Sequence, residues 1–202
     1  VGSTWTQVQK IKASPGGYGG NYFGQSVAIS GTTAILGSNK FKLTNQTYEG
    51  AAYIFEKVGG TWGNEVVGET YTTETQRIQA SDKAGSDYFG TSVAISGTTA
   101  IVGAYQEDPN DVNAAGSAYI FKHNGSTWTQ VEKIHANVPV ENDRFGETVA
   151  ISGTTAIVGA IWDRTVGQYT GAAYIFNAPT IQQPSTVPTL KTPATVTLDG
   201  TT

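Results

Sequence analysis

The residues that could take part in chemistry are concentrated in a few segments that are also rich in Gly, Pro and Asn. Carboxylates occur at Glu107, Asp108 and Asp111, and large aromatic side chains occur in similar segments at Tyr105 and Trp162. Carboxylates act as general acids and bases or bind hard cations, and aromatic rings among polar groups bind sugars and proteins. The spacing of these residues decides which of these chemistries the chain supports.

Catalytic chemistry finds little support in the residue pattern. The chain has no cysteine and two histidines, His123 and His135, and neither histidine lies near a serine nucleophile motif. Gly-x-Ser-x-Gly, His-Glu-x-x-His and phosphate-binding loops do not occur. Pairs of carboxylates within acidic loops arise by chance. We therefore predict a protein that is not an enzyme and that needs no cofactor.

Composition narrows the class of partner. The formal net charge of −4 disfavours the phosphate attraction on which nucleic-acid binding depends. No run of about 18 apolar residues is present, so no membrane insertion is predicted. The chain begins at Val1 and has no methionine, which fits a processed terminus or a piece of a longer protein. The 25 glycines and the content of Val, Ile, Tyr and Phe are typical of short strands joined by tight turns.

An internal repeat dominates the sequence and is the strongest indication of the fold. Three Phe-Gly pairs each open a similar stretch, and a Gly-Ala/Ser-Ala-Tyr-Ile-Phe segment follows each stretch, at Gly50–Phe55, Gly116–Phe121 and Gly171–Phe176. Segments led by tryptophan begin at Trp62 and Trp128. Successive Phe-Gly pairs are 66 and then 56 residues apart, so the first repeat carries a ten-residue insertion within Gly63–Gln76. The insertion is expected to be a surface loop or an extended hairpin.

Each repeat is interpreted as four strands, the first two of which are Val27–Ser30 and Thr33–Leu36 in the first repeat. Small residues alternate with large apolar ones, as Ala28 does with its neighbours, and polar residues do not take every second position. This pattern is typical of a sheet that is covered on both faces. Blades of a propeller are covered in this way by their neighbours, whereas a two-layer sandwich leaves one face polar.

The chain resembles the FG-GAP repeat family of integrin-α propellers and bacterial surface proteins. The matching residues are the three Phe-Gly pairs, Val102–Ala104, Val158–Ala160 and the degenerate copy Leu36–Ser38. The resemblance implies an all-β fold of three four-stranded β-propeller blades over residues 1–176 and an extracellular or cell-surface location. Calcium-binding members carry an Asp-rich loop between the first two strands, where this chain has only Ser-Gly-Thr-Thr, so no metal site is expected.

The two ends of the chain predict an assembly function. Gly2–Val8 is identical to Gly125–Val131, so the chain begins with a fourth strand, Trp5–Ala13, whereas the last repeat ends after its third strand. Residues 177–202 are rich in Pro and Thr and form a linker or tail with a terminal strand. The predicted assembly residues are Trp5, Val8, Ile11, Val196 and Leu198. Three blades are too few for a closed ring, and three arrangements remain open: a piece of a larger propeller, a six-bladed ring of two chains, or an open polymer.

The loops of all three repeats converge on one face, where recognition is expected. The candidate ligand-binding residues on that face are Phe41, Tyr48, Tyr105, Trp162, Tyr169, Asp108 and Asp111. Glycosylation sequons occur at Asn45 and Asn124.

From the repeat and the two chain ends we predict a structural or adhesive protein that associates with itself as an oligomer or filament, through blade completion and its tail. The alternative is a module of a larger adhesin that binds glycans or surface proteins.

Overall fold

The computed structural model describes residues 4–14, 20–43 and 47–178. Within these ranges the protein consists of β-strands and one short 3-10 turn, Pro109–Asp111. The predicted residues Asn45, Val196 and Leu198 lie outside the described residues, as does the tail beyond residue 178. The predictions made for these residues stay predictions.

The first blade is an antiparallel sheet whose fourth strand is interrupted. Its strands are β1 (Ser26–Ser30), β2 (Thr33–Ser38), β3 (Ala51–Val58), β4 (Thr61–Trp62) and β7 (Gln76–Ile78). Both β4 and β7 pair with β3, because the insertion separates them in the chain. The insertion forms a short hairpin of β5 (Asn64–Glu65) and β6 (Thr72–Thr73), so of the two predicted forms the hairpin is the one observed.

The second and third blades repeat the same antiparallel order. Blade 2 contains β8 (Ser92–Ser96), β9 (Thr99–Ala104), β10 (Ser117–His123) and β11 (Trp128–Ile134). Blade 3 contains β12 (Phe145–Ser152), β13 (Thr155–Ala160) and β14 (Ala172–Asn177). Among the described residues no fourth strand pairs with β14, so blade 3 has three strands and a free edge.

The blades stack face to face. We call the face that carries Val and Ile of each Val-Ala-Ile motif the leading face, and the opposite face the trailing face. Ile95 on the leading face of blade 2 packs in one cluster with Ile35 and Ile54 on the trailing face of blade 1. Val158 on the leading face of blade 3 packs with Ile101 on the trailing face of blade 2. The alternation of small and large residues is therefore explained by two continuous interfaces between blades.

The outermost faces of the stack are open, in contrast to the expectation that every blade face is covered. On the leading face of blade 1, Ile29 is 64% exposed, whereas its counterpart in blade 2, Ile95, is 8% exposed. On the trailing face of blade 3, Ile157 is 41% exposed, whereas its counterpart Ile101 is fully buried. The sequence repeats the same apolar pattern in each blade, but only the middle blade has a neighbour on both sides within the described residues.

The N-terminal segment, residues 4–14, covers the outer part of the leading face of blade 1. Ile11 forms a bridge to Thr72, and the backbone N–H of Lys12 donates to the Thr72 carbonyl at 2.9 Å. Ile11 and Ala13 pack into the cluster that contains Phe55. Ile78 and Ala80, at the end of the fourth strand of blade 1, occupy the corresponding position in the cluster against blade 2. The segment thus takes the place of a fourth strand from a preceding blade and does not pair with β14 of its own chain.

The Phe-Gly pair has a packing function in each blade. The ring of Phe89 packs edge-on against Tyr119 and Phe121 of the third strand, with ring centres 5.5 and 6.0 Å apart, and the other two blades repeat this arrangement. Gly90 has a φ of +90°, and a Cβ there would lie 2.4 Å from the Ala51 carbonyl of blade 1. Glycine is therefore required both by the backbone conformation and by the close approach of the neighbouring blade.

Candidate functional site

The candidate site on the loop face is built on the residue that precedes each Phe-Gly pair. Tyr22, Tyr88 and Arg144 have φ values of +57°, +56° and +59°. Such a conformation is uncommon for residues other than glycine and costs about 1 to 3 kcal/mol. The side chains of Tyr88 and Arg144 each contact the loops of two adjacent blades. This strained position therefore connects the loop face across the blades.

These contacts form a continuous row of aromatic and cationic side chains, which we call the aromatic–cation strip. Its members in spatial order are Tyr22, Lys40, Tyr48, Tyr88, Tyr105, Arg144, Trp162 and Tyr169. The rings of Tyr48 and Tyr88 stack at 5.6 Å, and the Arg144 guanidinium lies 3.5 Å from the centre of the Trp162 ring. Stacked rings and cation–π contacts of this kind hold aromatic faces in fixed positions at the surface.

The structure brings together four of the five predicted aromatic residues. Tyr48, Tyr105, Trp162 and Tyr169 all belong to the strip, and each keeps part of its surface exposed. Phe41 differs from the prediction, because its ring is completely buried.

Phe41 lies in the cluster between β2 and β3, with the Arg77 guanidinium 4.8 Å from the ring centre. A loop position alone does not reveal burial, and this loop folds back onto the sheet. Phe41 is therefore not part of the candidate ligand-binding face.

The predicted acidic residues Asp108 and Asp111 are exposed and shape their own loop. The carboxylate of Asp108 accepts a hydrogen bond from the Ala114 N–H at 2.7 Å, and the Asp111 N–H donates to the Asp108 carbonyl at 3.2 Å. In the described part of the chain, no group of three or more His, Asp or Glu side chains is arranged to hold a metal ion.

The most strongly charged cluster lies under the loops of blade 2 and centres on Lys133 of β11. Its ammonium group donates to Asp82 at 2.7 Å and to Glu107 at 2.6 Å. The hydroxyl of Tyr119 donates to Asp82 at 2.9 Å, and that of Ser117 donates to Glu107 at 2.5 Å. Burial raises the pKa of Asp82, but the hydrogen bonds from Lys133 and Tyr119 outweigh it and leave that pKa below its usual value. The lysine thus compensates two carboxylates that the fold brings together.

Asp87 lies beside this cluster and is buried. Burial raises its pKa to about 6, and the charge of Glu107 adds to the rise, while the hydrogen bond from the Ala84 N–H opposes it. A buried carboxylate with a raised pKa occurs at functional sites and also in structural networks. Here the Asp87 carboxylate, by accepting the hydrogen bond from the Ala84 N–H, stabilises the turn that leads into the second Phe-Gly pair.

Blade 3 has a corresponding acidic cluster without a lysine. Asp163 is fully buried and accepts hydrogen bonds from the Thr165 hydroxyl and the Tyr174 hydroxyl, each at 2.5 Å. Burial and the hydrogen bond to Asp163 raise the pKa of Tyr174 to about 12. Asp143 is buried beside this pair, and burial and the Asp163 charge raise its pKa. The cation closest to the Asp143 carboxylate is the partly exposed Arg164, whose Nε lies 3.9 Å from Oδ1.

The predicted assembly residues at the N-terminus fall into two groups. Trp5 and Val8 are exposed, whereas Ile11 packs against blade 1 of its own chain. Asn124 is exposed, and its side-chain oxygen accepts hydrogen bonds from the N–H groups of Ser126 and Thr127, so it stabilises a tight hairpin turn whether or not a glycan is attached.

The sequence did not indicate Tyr88, Arg144 or Lys133 as residues of these surfaces, and it placed Asp143 and Asp163 on the loop face without indicating that they are buried. A signal for Tyr88 and Arg144 was available, because both directly precede a Phe-Gly pair. Lys133 could have been found from its place on the fourth strand, next to Ile134. Asp143 and Asp163 gave no comparable signal, because an Asp in a loop is usually exposed.

The fold defines a class of protein, a stack of β-propeller-type blades. The FG-GAP repeat family model matches residues 5–55, 72–121 and 128–176, and the chain belongs to this family. Each match begins in a fourth-strand segment and ends in the third strand of the following sheet. Comparison with curated proteins found no match. FG-GAP repeats are typically non-enzymatic and occur in extracellular or surface proteins. The described residues include no helix of the length and apolarity needed to cross a membrane.

Proposed function

We propose that this chain is a non-catalytic extracellular structural or adhesive protein that associates with itself by completing blades between copies. The observation that supports the proposal is the complementarity of its two open ends. The exposed leading face of blade 1 carries the same apolar residue types as the leading face of blade 2, which is covered by blade 1. The exposed trailing face of blade 3 carries the same residue types as the trailing face of blade 2, which is covered by blade 3. The predicted contribution of the C-terminal tail belongs to the same proposal.

The free edge of blade 3 and the N-terminal segment add a second complementarity. In blade 2 the fourth strand, β11, pairs along the whole of β10. In blade 3 the corresponding edge of β14 is free within the described residues, while residues 4–14 of the same chain form no strand pairing beyond the bridge to Thr72. An exposed edge and an apolar sheet face favour pairing with another chain. A head-to-tail contact of this kind is heterologous and gives rings or filaments.

Sedimentation or light scattering of the full chain over a range of concentrations tests this proposal. We expect concentration-dependent association, and we expect the Ile175→Asp variant to weaken it by at least about thirtyfold, since it places a charge on the trailing face of blade 3. Val58→Asp is the matched control, because Val58 is 75% exposed, close to the 69% of Ile175, but lies at the end of β3 in blade 1. A folded chain that stays monomeric at all concentrations contradicts the proposal.

A second candidate function is ligand binding at the loop face, and the aromatic–cation strip favours it. Ordered aromatic faces next to Lys40 and Arg144 suit sugar rings or a protein partner with exposed carboxylates. Binding to a glycan array and to candidate surface proteins tests this function. We expect Trp162→Ala to abolish such binding and Val166→Ala, in the same loop, to leave it unchanged. Binding that survives the loss of Trp162 would place the ligand elsewhere.

A further inference from the structure

A cavity of about 340 Å³ lies between blades 2 and 3, next to the free edge of β14. Its apolar lining includes Ile120 and Ile134 of blade 2 and Ile151, Ala156 and Phe176 of blade 3. The volume is about ten times the roughly 30 Å³ that one water molecule occupies in the liquid. A space of this size between apolar side chains is large enough for an aromatic side chain.

The corresponding space between blades 1 and 2 is filled by Trp128. This side chain is 4% exposed and packs in a cluster with Ile54, Ile78, Ile95, Ala100 and Phe121. These five residues occupy the same repeat positions as the apolar residues that line the cavity between blades 2 and 3. Trp128 is the first residue of β11, the fourth strand of blade 2. The described part of blade 3 has no fourth strand, and the cavity lies where the tryptophan of such a strand would pack.

A glutamine of the preceding blade holds each of the two tryptophans in place. The side-chain amide of Gln76 accepts from the backbone N–H of Trp128 and donates to the backbone carbonyl of Trp128, both at 2.8 Å. Gln9 forms the same pair of bonds with Trp62, at 3.0 and 2.8 Å. The counterpart of these glutamines on blade 2 is Glu132, two residues before Ile134, and Glu132 lines the cavity. A polar group is therefore already positioned for the backbone of a third tryptophan.

Trp5 fits this position in sequence and in exposure. Gly2–Val8 is identical to Gly125–Val131, the segment that places Trp128, and the Trp5 side chain is fully exposed in its own chain. In blade 2, Trp128 pairs with His123 and Ile134 pairs with Ala118. The same register on blade 3 places Trp5 of another copy opposite Ala178 and Ile11 opposite Ala173. Ile11 would then lie between two chains, because its side chain already packs on its own blade 1.

The acidic cluster of blade 3 provides an independent indication. Lys133 compensates the carboxylates of blade 2 from the position before Ile134, and Lys10 holds that position before Ile11. The counterpart of Glu107 in blade 3 is Asp163. Beside it, Oδ1 of the buried Asp143 has no hydrogen-bond partner among the described residues and faces only the partly exposed Arg164, at 3.9 Å. An incoming strand in the register above brings the exposed Lys10 next to these two carboxylates.

We propose that the fourth strand of blade 3 is the N-terminal strand of a second copy, with Trp5 in the cavity between blades 2 and 3 and Lys10 beside Asp143 and Asp163. The proposal rests on the self-association proposed above and identifies its site. Apolar burial of the indole holds the strand, and the lysine sets the register by charge. Because the two ends of each copy act as donor and acceptor, the contact repeats head to tail.

Removal of the indole tests the first anchor. We expect Trp5→Ala to weaken association of the full chain by about thirtyfold or more without altering the stability of the monomer, because the Trp5 side chain is fully exposed among the described residues. Association of the unmodified chain should also shift tryptophan emission to the blue, and Trp5→Ala should remove this shift. Val58→Ala, at an exposed position at the end of β3, is the control.

The second anchor is tested by charge. We expect Lys10→Ala to weaken association and Lys10→Arg to preserve it, whereas Lys83→Ala, with the same change in net charge at an exposed loop, should leave it unchanged. A carboxylate at Glu132 can accept from the backbone N–H of Trp5 but has no N–H to donate to the Trp5 carbonyl, as the Gln76 amide does for Trp128. Glu132→Gln should therefore strengthen association by about threefold to tenfold.

A cross-link tests the register directly. Thr129 lies opposite Lys122 in blade 2, so Thr6 of one copy is expected opposite Asn177 of the other. Because the chain has no cysteine, a mixture of Thr6→Cys and Asn177→Cys chains should form a disulfide-linked dimer under mild oxidation. A mixture of Thr6→Cys and Val166→Cys chains should not.

The outcomes separate this proposal from the proposed self-association. If the full chain does not associate at all, both are wrong. If it associates, but Trp5→Ala and Lys10→Ala leave association unchanged and the Thr6→Cys and Asn177→Cys chains form no disulfide-linked dimer, self-association stands and this site is wrong. That result would indicate another occupant of the cavity, such as the C-terminal tail.

Discussion

Replacing Gly103 by alanine is expected to destabilise the protein by about 3 kcal/mol, which corresponds to a fall in Tm of about 6 to 12 °C for a chain of this size. A Cβ on Gly103 would lie 2.0 Å from the Gly146 carbonyl of blade 3 and 2.4 Å from the Ser92 hydroxyl. The carbonyl belongs to the backbone, so the contact is relieved only by separating the two blades. Thermal and urea unfolding of the variant measure this effect.

The repeat provides matched controls for this prediction. A Cβ on Gly37 would lie 2.0 Å from the Gly90 carbonyl of blade 2, so Gly37→Ala should behave as Gly103→Ala does. Among the described residues, the one atom that a Cβ on Gly159 would approach too closely is the Thr148 hydroxyl, at 2.3 Å, which a change of side-chain rotamer can move away, while the Thr148 backbone carbonyl lies at an ordinary 3.9 Å. Gly159→Ala should therefore leave the stability of the monomer nearly unchanged. Equal destabilisation by the Gly103 and Gly159 changes would mean that stacking of the next blade is not the cause.

The same comparison links stability to assembly. In the proposed head-to-tail contact, Gly159 of one copy faces the backbone of Gly24 in the next, as Gly103 faces Gly146 within the chain. A Cβ on Gly24 meets nothing within 4 Å in the single chain. Gly159→Ala is thus expected to impair association while preserving the fold, a combination that a purely structural glycine would not produce.

Much of the fold could be predicted from the sequence because the repeat is local. The predicted strands Val27–Ser30 and Thr33–Leu36 match β1 and β2 to within one or two residues. The Phe-Gly pairs and the Tyr-Ile-Phe segments mark the residues that pack together inside each blade. Membership of the FG-GAP repeat family and the all-β fold are accordingly confirmed.

The features that could not be predicted depend on contacts between blades. The sequence shows that Val27 and Ile29 are apolar, but their exposure depends on whether another blade stands in front of them. A spare fourth strand at one end and a missing one at the other fit pairing of Trp5–Ala13 with β14 within one chain equally well. In the structure, however, this segment lies at the other end of the stack, against Thr72. A repeat specifies how neighbours pack and leaves open which chain provides them.

The loop face was only partly predictable for a similar reason. Tyr105 and Trp162 were found as isolated aromatic residues, and the cation that joins them, Arg144, was not. Charge and aromatic content can be read from the sequence, whereas their order in space follows from the left-handed residues before each Phe-Gly pair. Phe41 illustrates the opposite error, because its type favoured the surface site and its loop buries it.

Replacing Lys133 by methionine is expected to cost about 2 to 3 kcal/mol at pH 7. The change keeps most of the apolar stem but leaves Asp82 and the buried Glu107 without their cation, next to Asp87. Removing one partner of a buried ion pair costs about 3 to 5 kcal/mol, and the partial exposure of Lys133 and Asp82 reduces that figure. Chemical unfolding of the variant and of the exposed-loop control Lys83→Met measures the difference.

The pH dependence distinguishes loss of charge from loss of packing in this variant. The folded-state pKa of Asp82 lies below the usual value of 3.8. Its pairing therefore contributes stability above about pH 4, and this contribution is lost as the pH falls through the folded-state pKa. The penalty of Lys133→Met should accordingly shrink in acid. A penalty that is constant from pH 7 to pH 3, or equal to that of Lys83→Met, would show that the lysine only packs against the blade. In that case Lys10 could not be expected to act by charge on blade 3.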